Sequence, residues 1–286
     1  MNLKEILLPQ RYNYIGCFFT LNCNLKCSYC INSFGNNNNF SKTMISGADW
    51  IRVLNRLNSH DDLPITIQGG EPSMHPDFIE IINNIKPELN IDILTNLCFD
   101  VDEFIKKVDP QRLKRKAPYS SIRVSYHPSQ MKLDVLISKV LKMQNAEFSI
   151  GVYGVLYPEI QDKILKTQKK CLKLGIDFRT KEFLGEYKRK LYGTYLYPEA
   201  VRGEIKEKRL CRTSELIIGP DAGIFRCHHD LYENFPPVGN LLNPEFEVKD
   251  VFMECYNFGN CNPCDIKIKT NRFQIYGHTS VEIKNG

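Results

Sequence analysis

The chain has 286 residues, 42% of them hydrophobic, with a formal net charge of +5 and a pI near 8.5. That length supports one large core, or a core of about 200 residues with a small appended module, and the apolar content excludes a disordered chain. No apolar run reaches membrane-spanning length, and the opening MNLKEILLPQRYNY lacks the basic start, apolar stretch and cleavage site of a secretory signal, so a cytoplasmic location with no membrane partner is expected.

In chain order, YIGCFFT (14–20) reads as a strand and SGADWIRVLNRLNS (46–59) as a helix with Ser46 as N-cap. PITIQ (64–68) reads as a strand, followed by a helix in HPDFIEIINNI (75–85) opened near Pro76 and Asp77. IDILTN (91–96), SIRVSY (121–126), FSIGVYGVL (148–156) and DFRTKEF (177–183) read as further strands. Between them lie helical patterns in VDEFIKKV (101–108), KLDVLISKVLKMQ (132–144) and QDKILKTQKKCLKLG (161–175), the last ending at Gly175. Six strands each separated by a helix predict parallel crossovers, hence a partial (β/α)6 barrel of the α/β class. In such barrels the working residues sit at the C-terminal ends of the strands. From about residue 205 the pattern changes. LCRTSELIIGPDAGIFRCHHDLY (210–232) reads as a small hairpin turning at Pro220 to Gly223, which divides the chain into 1–205 and 206–286.

Eleven cysteines in a cytoplasmic chain do not read as a disulfide framework, so metal or cluster ligation is the leading reading. The basic runs LKRK, EYKRK and KRLCR are short and scattered and read as solvated faces, so no nucleic-acid partner is expected. No internal repeat is evident, and the GNNNN tract that begins at Gly35 reads as a flexible loop.

The spacing Cys23-x3-Cys27-x2-Cys30 lets one tight loop aim three sulfurs at a common point. Three thiolates can ligate three irons of a cubane and leave the fourth iron open to a bidentate ligand. A structural zinc takes four closed ligands, and the nearest other cysteine, Cys17, lies within the preceding strand. A zinc that borrows a distant ligand, or three merely buried thiols, are the alternatives.

On these residues the chain resembles the radical S-adenosylmethionine (SAM) superfamily, whose signature is this C-x3-C-x2-C loop after the first strand of a partial barrel, with an aromatic residue where Tyr29 stands. The resemblance implies a [4Fe-4S] cluster on Cys23, Cys27 and Cys30 with SAM on its open iron. It places the methionine ammonium at GGEP, that is at Gly69, Gly70 and Glu71, with Glu71 or backbone carbonyls as acceptors. Asn96 and Ser125 match positions that hold ribose hydroxyls and the methionine carboxylate, Val155 lies in the matching fifth-strand segment, and His127 stays open between a ligand-facing and a capping role. Arg179, Lys181 and Glu182 could face the substrate or pair across the rim.

The later cysteines resemble the SPASM/twitch extension, so a small C-terminal α+β iron-sulfur domain is expected to carry one auxiliary [4Fe-4S] cluster. Cys211, Cys227, Cys261 and Cys264 are the expected ligands, with Cys255 able to replace one of them, and His228 and His229 open between a metal and a structural role. A zinc knuckle built from the same residues is the competing reading. Cys171 reads as core, whereas Cys98 lies just past the third strand and is a candidate hydrogen donor.

The implied activity is reductive cleavage of SAM to a 5'-deoxyadenosyl radical, followed by hydrogen abstraction from substrate. Oxidation with the auxiliary cluster as electron acceptor is favoured over epimerisation. About a dozen residues precede the barrel, so no fused leader-peptide module is expected, and a small polar substrate such as a sugar, aminocyclitol or nucleotide-linked metabolite is favoured. The electron donor would be a flavodoxin or ferredoxin-type reductant. The alternatives are crosslinking or epimerisation of a ribosomally made peptide and, more remotely, a zinc-stabilised nucleic-acid-binding protein.

Overall fold

The structure, a computed structural model, describes residues 4–32, 43–60, 62–202, 207–270 and 275–286. The GNNNN tract and the division near residue 205 lie outside the described residues. The six expected strands form as β1 (Tyr14–Thr20), β2 (Ile65–Gly69), β3 (Ile91–Thr95), β4 (Ile122–Tyr126), β5 (Ile150–Leu156) and β6 (Phe178–Glu182). They pair in that order and all in parallel. The intervening helices are α1 (Gly47–Leu54), α2 (Phe78–Asn84), α3 (Val101–Lys107), α4 (Leu133–Asn145) and α5 (Gln161–Lys173).

Local chemistry sets the helix ends. The Ser46 hydroxyl accepts from the N–H of Asp49 at 3.1 Å, and the Asp100 carboxylate caps α3 by accepting from the N–H groups of Asp102 and Glu103 at 2.8 and 3.2 Å. Gly175, at φ +75°, closes α5, where the N–H of Ile176 reaches back to the carbonyl of Cys171 at 3.0 Å.

Strand alternation then sorts the side chains. Ile65, Ile67, Ile91, Ile93, Ile122 and Val124 are buried in one core beneath the helices, together with Trp50, Phe104 and Cys171. Their neighbours Thr66, Gln68, Asp92, Leu94, Arg123 and Ser125 face the other side, where they line a cavity. The interior of this barrel is therefore hollow, with polar side chains set among apolar ones, unlike the packed layers of branched side chains that usually fill one.

Beyond residue 207 the described residues form a three-stranded sheet, a short two-stranded pair of Lys269–Thr270 with Tyr276–His278, and strands that extend the barrel sheet. The first contains β7 (Glu207–Thr213), β11 (Met253–Phe258) and β12 (Val281–Asn285), antiparallel with β7 in the middle. The expected hairpin is β8 (Glu215–Ile218) and β9 (Gly223–Phe225), turning where the N–H of Gly219 meets the carbonyl of Gly223 at 2.8 Å. This hairpin joins the barrel. β8 lies parallel to β1, with Glu215 opposite Tyr14, and β10 (Gly239–Asn240) extends the sheet beyond β9 to nine strands. Without β8, the outer edge of β1 would present unpaired backbone groups. Phe18, Leu21, Ile217, Phe225 and Leu231 pack together at this seam.

Candidate active site

One cavity of about 640 Å³ occupies the barrel interior, and Cys23, Cys27 and Cys30 all line it. The loop that carries them leaves β1 at Thr20, whose hydroxyl accepts from the N–H of Asn22 at 3.0 Å. The end of β2 then clamps the loop: the N–H of Gly70 donates to the carbonyl of Thr20 at 3.0 Å, and that of Glu71 to the carbonyl of Asn22 at 2.8 Å. Two glycines are required for this approach. A Cβ at Gly69 would lie 2.1 Å from the Thr20 oxygen, and one at Gly70 would lie 2.2 Å from the Asn22 oxygen.

Donors reach the sulfurs from three directions. The N–H of Leu25 points at Cys23 Sγ at 3.4 Å, and Gln130 Nε2 donates to Cys27 Sγ at 3.4 Å while its Oε1 accepts from the N–H of Lys26 at 2.7 Å. Asn96 Nδ2 donates to Asn24 Oδ1 at 2.7 Å and lies 4.0 Å from Cys23 Sγ. Partial burial raises the pKa of Cys23 and Cys27, and the neighbouring thiols raise both further, Cys27 to about 12. Sulfurs that repel one another's ionisation in this way suit a cationic group bound to all three. Among the described residues no three His, Cys, Asp or Glu side chains converge on a point that one ion could occupy. A cluster spreads its ligands over separate irons, so this donor set fits a cubane better than a single zinc.

Of the other expected residues, Tyr29, Gly69, Gly70, Asn96, Ser125, His127 and Val155 line the same cavity. The Tyr29 hydroxyl and His127 Nδ1 are hydrogen-bonded at 3.0 Å, and the Tyr29 ring stacks on Tyr157 with centroids 5.0 Å apart. Burial pushes His127 down to about 4, so its ring is neutral at pH 7. The carbonyl of His127 also accepts from the N–H groups of Gln130 and Met131, so the residue caps a turn as well as facing the cavity. Glu71 lies elsewhere. It is fully buried and accepts from the N–H of Ser73 at 3.2 Å, its hydroxyl at 2.6 Å, the Thr95 hydroxyl at 2.7 Å and the N–H of Asn96 at 2.6 Å. Its carboxylate braces the strand ends. Cys98 is exposed, sits 3.4 Å from the Ser73 hydroxyl and is absent from the cavity wall.

On the sixth strand Arg179 pairs with Asp177 at 3.0 Å, Glu182 accepts from Thr194 at 3.3 Å, and Lys181 opens onto the cavity. His228 and His229 are held through their N–H groups by Asp265 at 2.9 and 3.0 Å, and His228 Nδ1 also meets Asp265 at 2.8 Å. Both histidines therefore open α6 (His228–Tyr232) under a structural tie.

Among the later cysteines, Cys211 and Cys255 sit diagonally on the paired strands β7 and β11, where Cys211 faces Met253 and Arg209 faces Cys255. Their thiols hydrogen-bond, which raises Cys211 and lowers Cys255 to about 6. Cys227 and Cys261 press on the same group: both raise Cys211, and Cys261 also raises Cys227. Cys264 has different surroundings. It lines the barrel cavity, burial raises its pKa, and the chief charges acting on it are Lys267 and Lys269. Among residues that the sequence did not mark, Arg123, Glu215, Lys267 and His278 line the cavity and Gln130 contacts the cysteine loop, placements that no local motif signals.

Residues 17–115 match the Radical SAM superfamily. The "Probable GTP 3',8-cyclase" of Methanocaldococcus jannaschii is 26% identical over 206 residues, which is 66% of this chain and 64% of that protein. The "Probable GTP 3',8-cyclase" of Methanopyrus kandleri is 31% identical over 77 residues, 27% of this chain and 24% of its own. The chain thus spans less than two thirds of either relative. Among solved structures, Streptococcus suis SuiB bound to S-adenosylmethionine matches with TM-score 0.56 at 15% identity, over 82% of this chain and 63% of that one. Native anSMEcpe with bound AdoMet and Kp18Cys peptide matches with TM-score 0.54 at 13% identity, over 84% and 78%. Both likenesses concern the fold. The three-cysteine loop lies within the segment that matches the Radical SAM superfamily.

Proposed function

We propose that the chain is a radical SAM enzyme that oxidises a small polar molecule, with SAM and substrate sharing the barrel cavity. The observation that carries this reading is a single cavity lined at once by Cys23, Cys27 and Cys30 and by the strand-end residues Asn96, Ser125, His127 and Val155. When bound, a [4Fe-4S] cluster with SAM supplies one-electron cleavage of the sulfonium to a 5'-deoxyadenosyl radical, and an auxiliary cluster offers an electron acceptor.

The chain's own residues bind and orient. Cys23, Cys27 and Cys30 would hold the first cluster, with Gln130 and the N–H of Leu25 donating to its sulfurs. Backbone carbonyls near Gly69 and Gly70 would receive the methionine ammonium, because Glu71 is already engaged by four donors. Asn96, whose Nδ2 is tied to Asn24, would offer its amide oxygen, and Ser125 its hydroxyl, to the polar groups of SAM. Val155 would give the adenine an apolar wall. Tyr29, locked to His127 and stacked on Tyr157, would close the loop side against water. Cys211, Cys227, Cys255 and Cys261 would hold the auxiliary cluster, within a C-terminal segment that begins near residue 206.

The names of the curated relatives favour a nucleotide-linked substrate. A peptide substrate is the second reading, suggested by the neighbour solved with a bound peptide. The test is anaerobic reconstitution with iron and sulfide, then reduction in the presence of SAM. Release of 5'-deoxyadenosine supports the proposal. A chain that binds zinc and releases none, with or without a flavodoxin or ferredoxin-type donor, sinks it.

A further inference from the structure

The cavity extends well past the cysteine loop, and the polar groups at its other end are not balanced. Asp92 is engaged by Arg115 at 2.8 Å and by Arg123 at 3.1 Å. One oxygen of Glu215 is engaged by Lys269 at 2.6 Å and the other lies 3.8 Å from His228 Nδ1, while Arg179 pairs with Asp177 at 3.0 Å. Lys181 and Lys267, both on the cavity wall, have no ion pair and no hydrogen bond to their ammonium groups among the described residues; Lys181 only lies over the Tyr153 ring, 5.0 Å from its centroid. The Lys181 side chain is solvent-exposed, and desolvation by the surrounding protein together with the charges of Arg123 and Lys267 lowers its pKa from the ordinary lysine value.

Orphaned groups share the same wall. Arg123 Nε, Gln68 Nε2, Glu215 Oε2 and His278 Nε2 are buried without a protein hydrogen-bond partner, and all four residues line this cavity. A buried donor or acceptor left alone costs about 1–3 kcal/mol, and proteins keep such groups where a ligand or an ordered water completes them. Four on one wall, beside two unpaired ammonium groups, describe a surface complementary to a ligand with a negative charge and several polar groups.

We propose that this end of the cavity is the substrate subsite, and that the substrate is a small molecule bearing an anionic group, carboxylate or phosphate, that seats between Lys181, Lys267 and Arg123. Gln68 donates to its polar body, while Glu215 Oε2 accepts from a hydroxyl or amine. The inference deepens the small-substrate reading and rests on it. The whole cavity measures about 640 Å³, and SAM would take part of it, so the space left at this end suits a small molecule.

The experiment reads the lysines directly and needs no SAM cleavage, so its failure is distinct from failure of the radical SAM reading. Reconstituted protein is acylated with an amine-reactive reagent at fixed ionic strength, and the rate at each lysine is followed by peptide mass spectrometry. Millimolar inorganic phosphate or succinate is expected to slow modification of Lys181 and Lys267 at least about threefold, without changing exposed Lys169. Protection by phosphate alone assigns a phosphate-bearing substrate, and protection by succinate alone a carboxylate. In Lys181→Gln the protection of Lys267 should fall away, and Lys267→Gln gives the reciprocal reading should the first variant fold poorly. No protection by either anion, or equal slowing at Lys169, overturns the proposal.

Discussion

The carboxylate of Glu71 accepts a hydrogen bond from the backbone N–H of Asn96 at 2.6 Å, which fastens the end of the second strand to the end of the third. Because the N–H of Glu71 is also bonded to the carbonyl of Asn22, one residue ties the cysteine loop and two strand ends together. In Glu71→Gln the amide NH2 must meet donors in a fully buried site. Stability should fall by about 2 kcal/mol, the cost of leaving buried donors unmet. A denaturant midpoint that does not move would refute the bracing role.

Gly70 admits no side chain, since a Cβ would meet the Asn22 oxygen at 2.2 Å. Gly70→Ala should therefore push the cysteine loop away from the second strand while the helices and outer core stay folded. The expected outcome is near-native far-ultraviolet circular dichroism with a marked loss of reconstituted iron. Full iron loading in this variant would show that the clamp does not position the loop.

The later cysteines separate into a group of four and one outlier. A fully loaded chain should carry about eight irons, four per cluster. Cys255→Ala should lower iron toward about four, whereas Cys264→Ala should keep it near eight. The opposite pattern would place Cys264 in the auxiliary set, as the spacing Cys261-x2-Cys264 suggests when read alone.

His127 gives a pH dependence whose sign follows from its depressed pKa. Its folded value is about 4, below the ordinary 6.5, so between those values the unfolded chain binds the proton and the folded chain does not. The contribution to stability is complete above pH 6.5 and is lost as pH falls toward 4, by on the order of 2 kcal/mol. Urea midpoints at pH 7.0, 5.5 and 4.5 should fall more steeply for the native chain than for His127→Gln. Parallel curves would show that His127 does not titrate abnormally.

Much of the barrel is legible in the residues themselves. In IDILTN and SIRVSY the residues Ile91, Ile93, Ile122 and Val124 recur at every second position and pack beneath the helices. Alternation cannot say what the polar members face, and only the assembled barrel shows Asp92, Arg123 and Ser125 lining a cavity. Glu71 and backbone carbonyls are the two acceptors expected for the ammonium; the Glu71 carboxylate is engaged by Ser73 and by Thr95 and Asn96, the last two remote in sequence. Gln130 reaches the cysteine loop from a turn about a hundred residues away, and nothing local marks it. Cys98 was readable as near the rim, but which way the chain turns after Thr95 decides that it stays off the wall. The docking of β8 on β1 depends on an edge that only the complete sheet exposes.

That late docking has a consequence for biogenesis. The strand that precedes the three-cysteine loop is made early, yet β8, which pairs with its outer edge, is made only after all six barrel strands. Until β8 is in place that strand keeps an unpaired edge beside the loop's thiols, open to wrong pairing, so the sheet is sealed only late in the life of the chain.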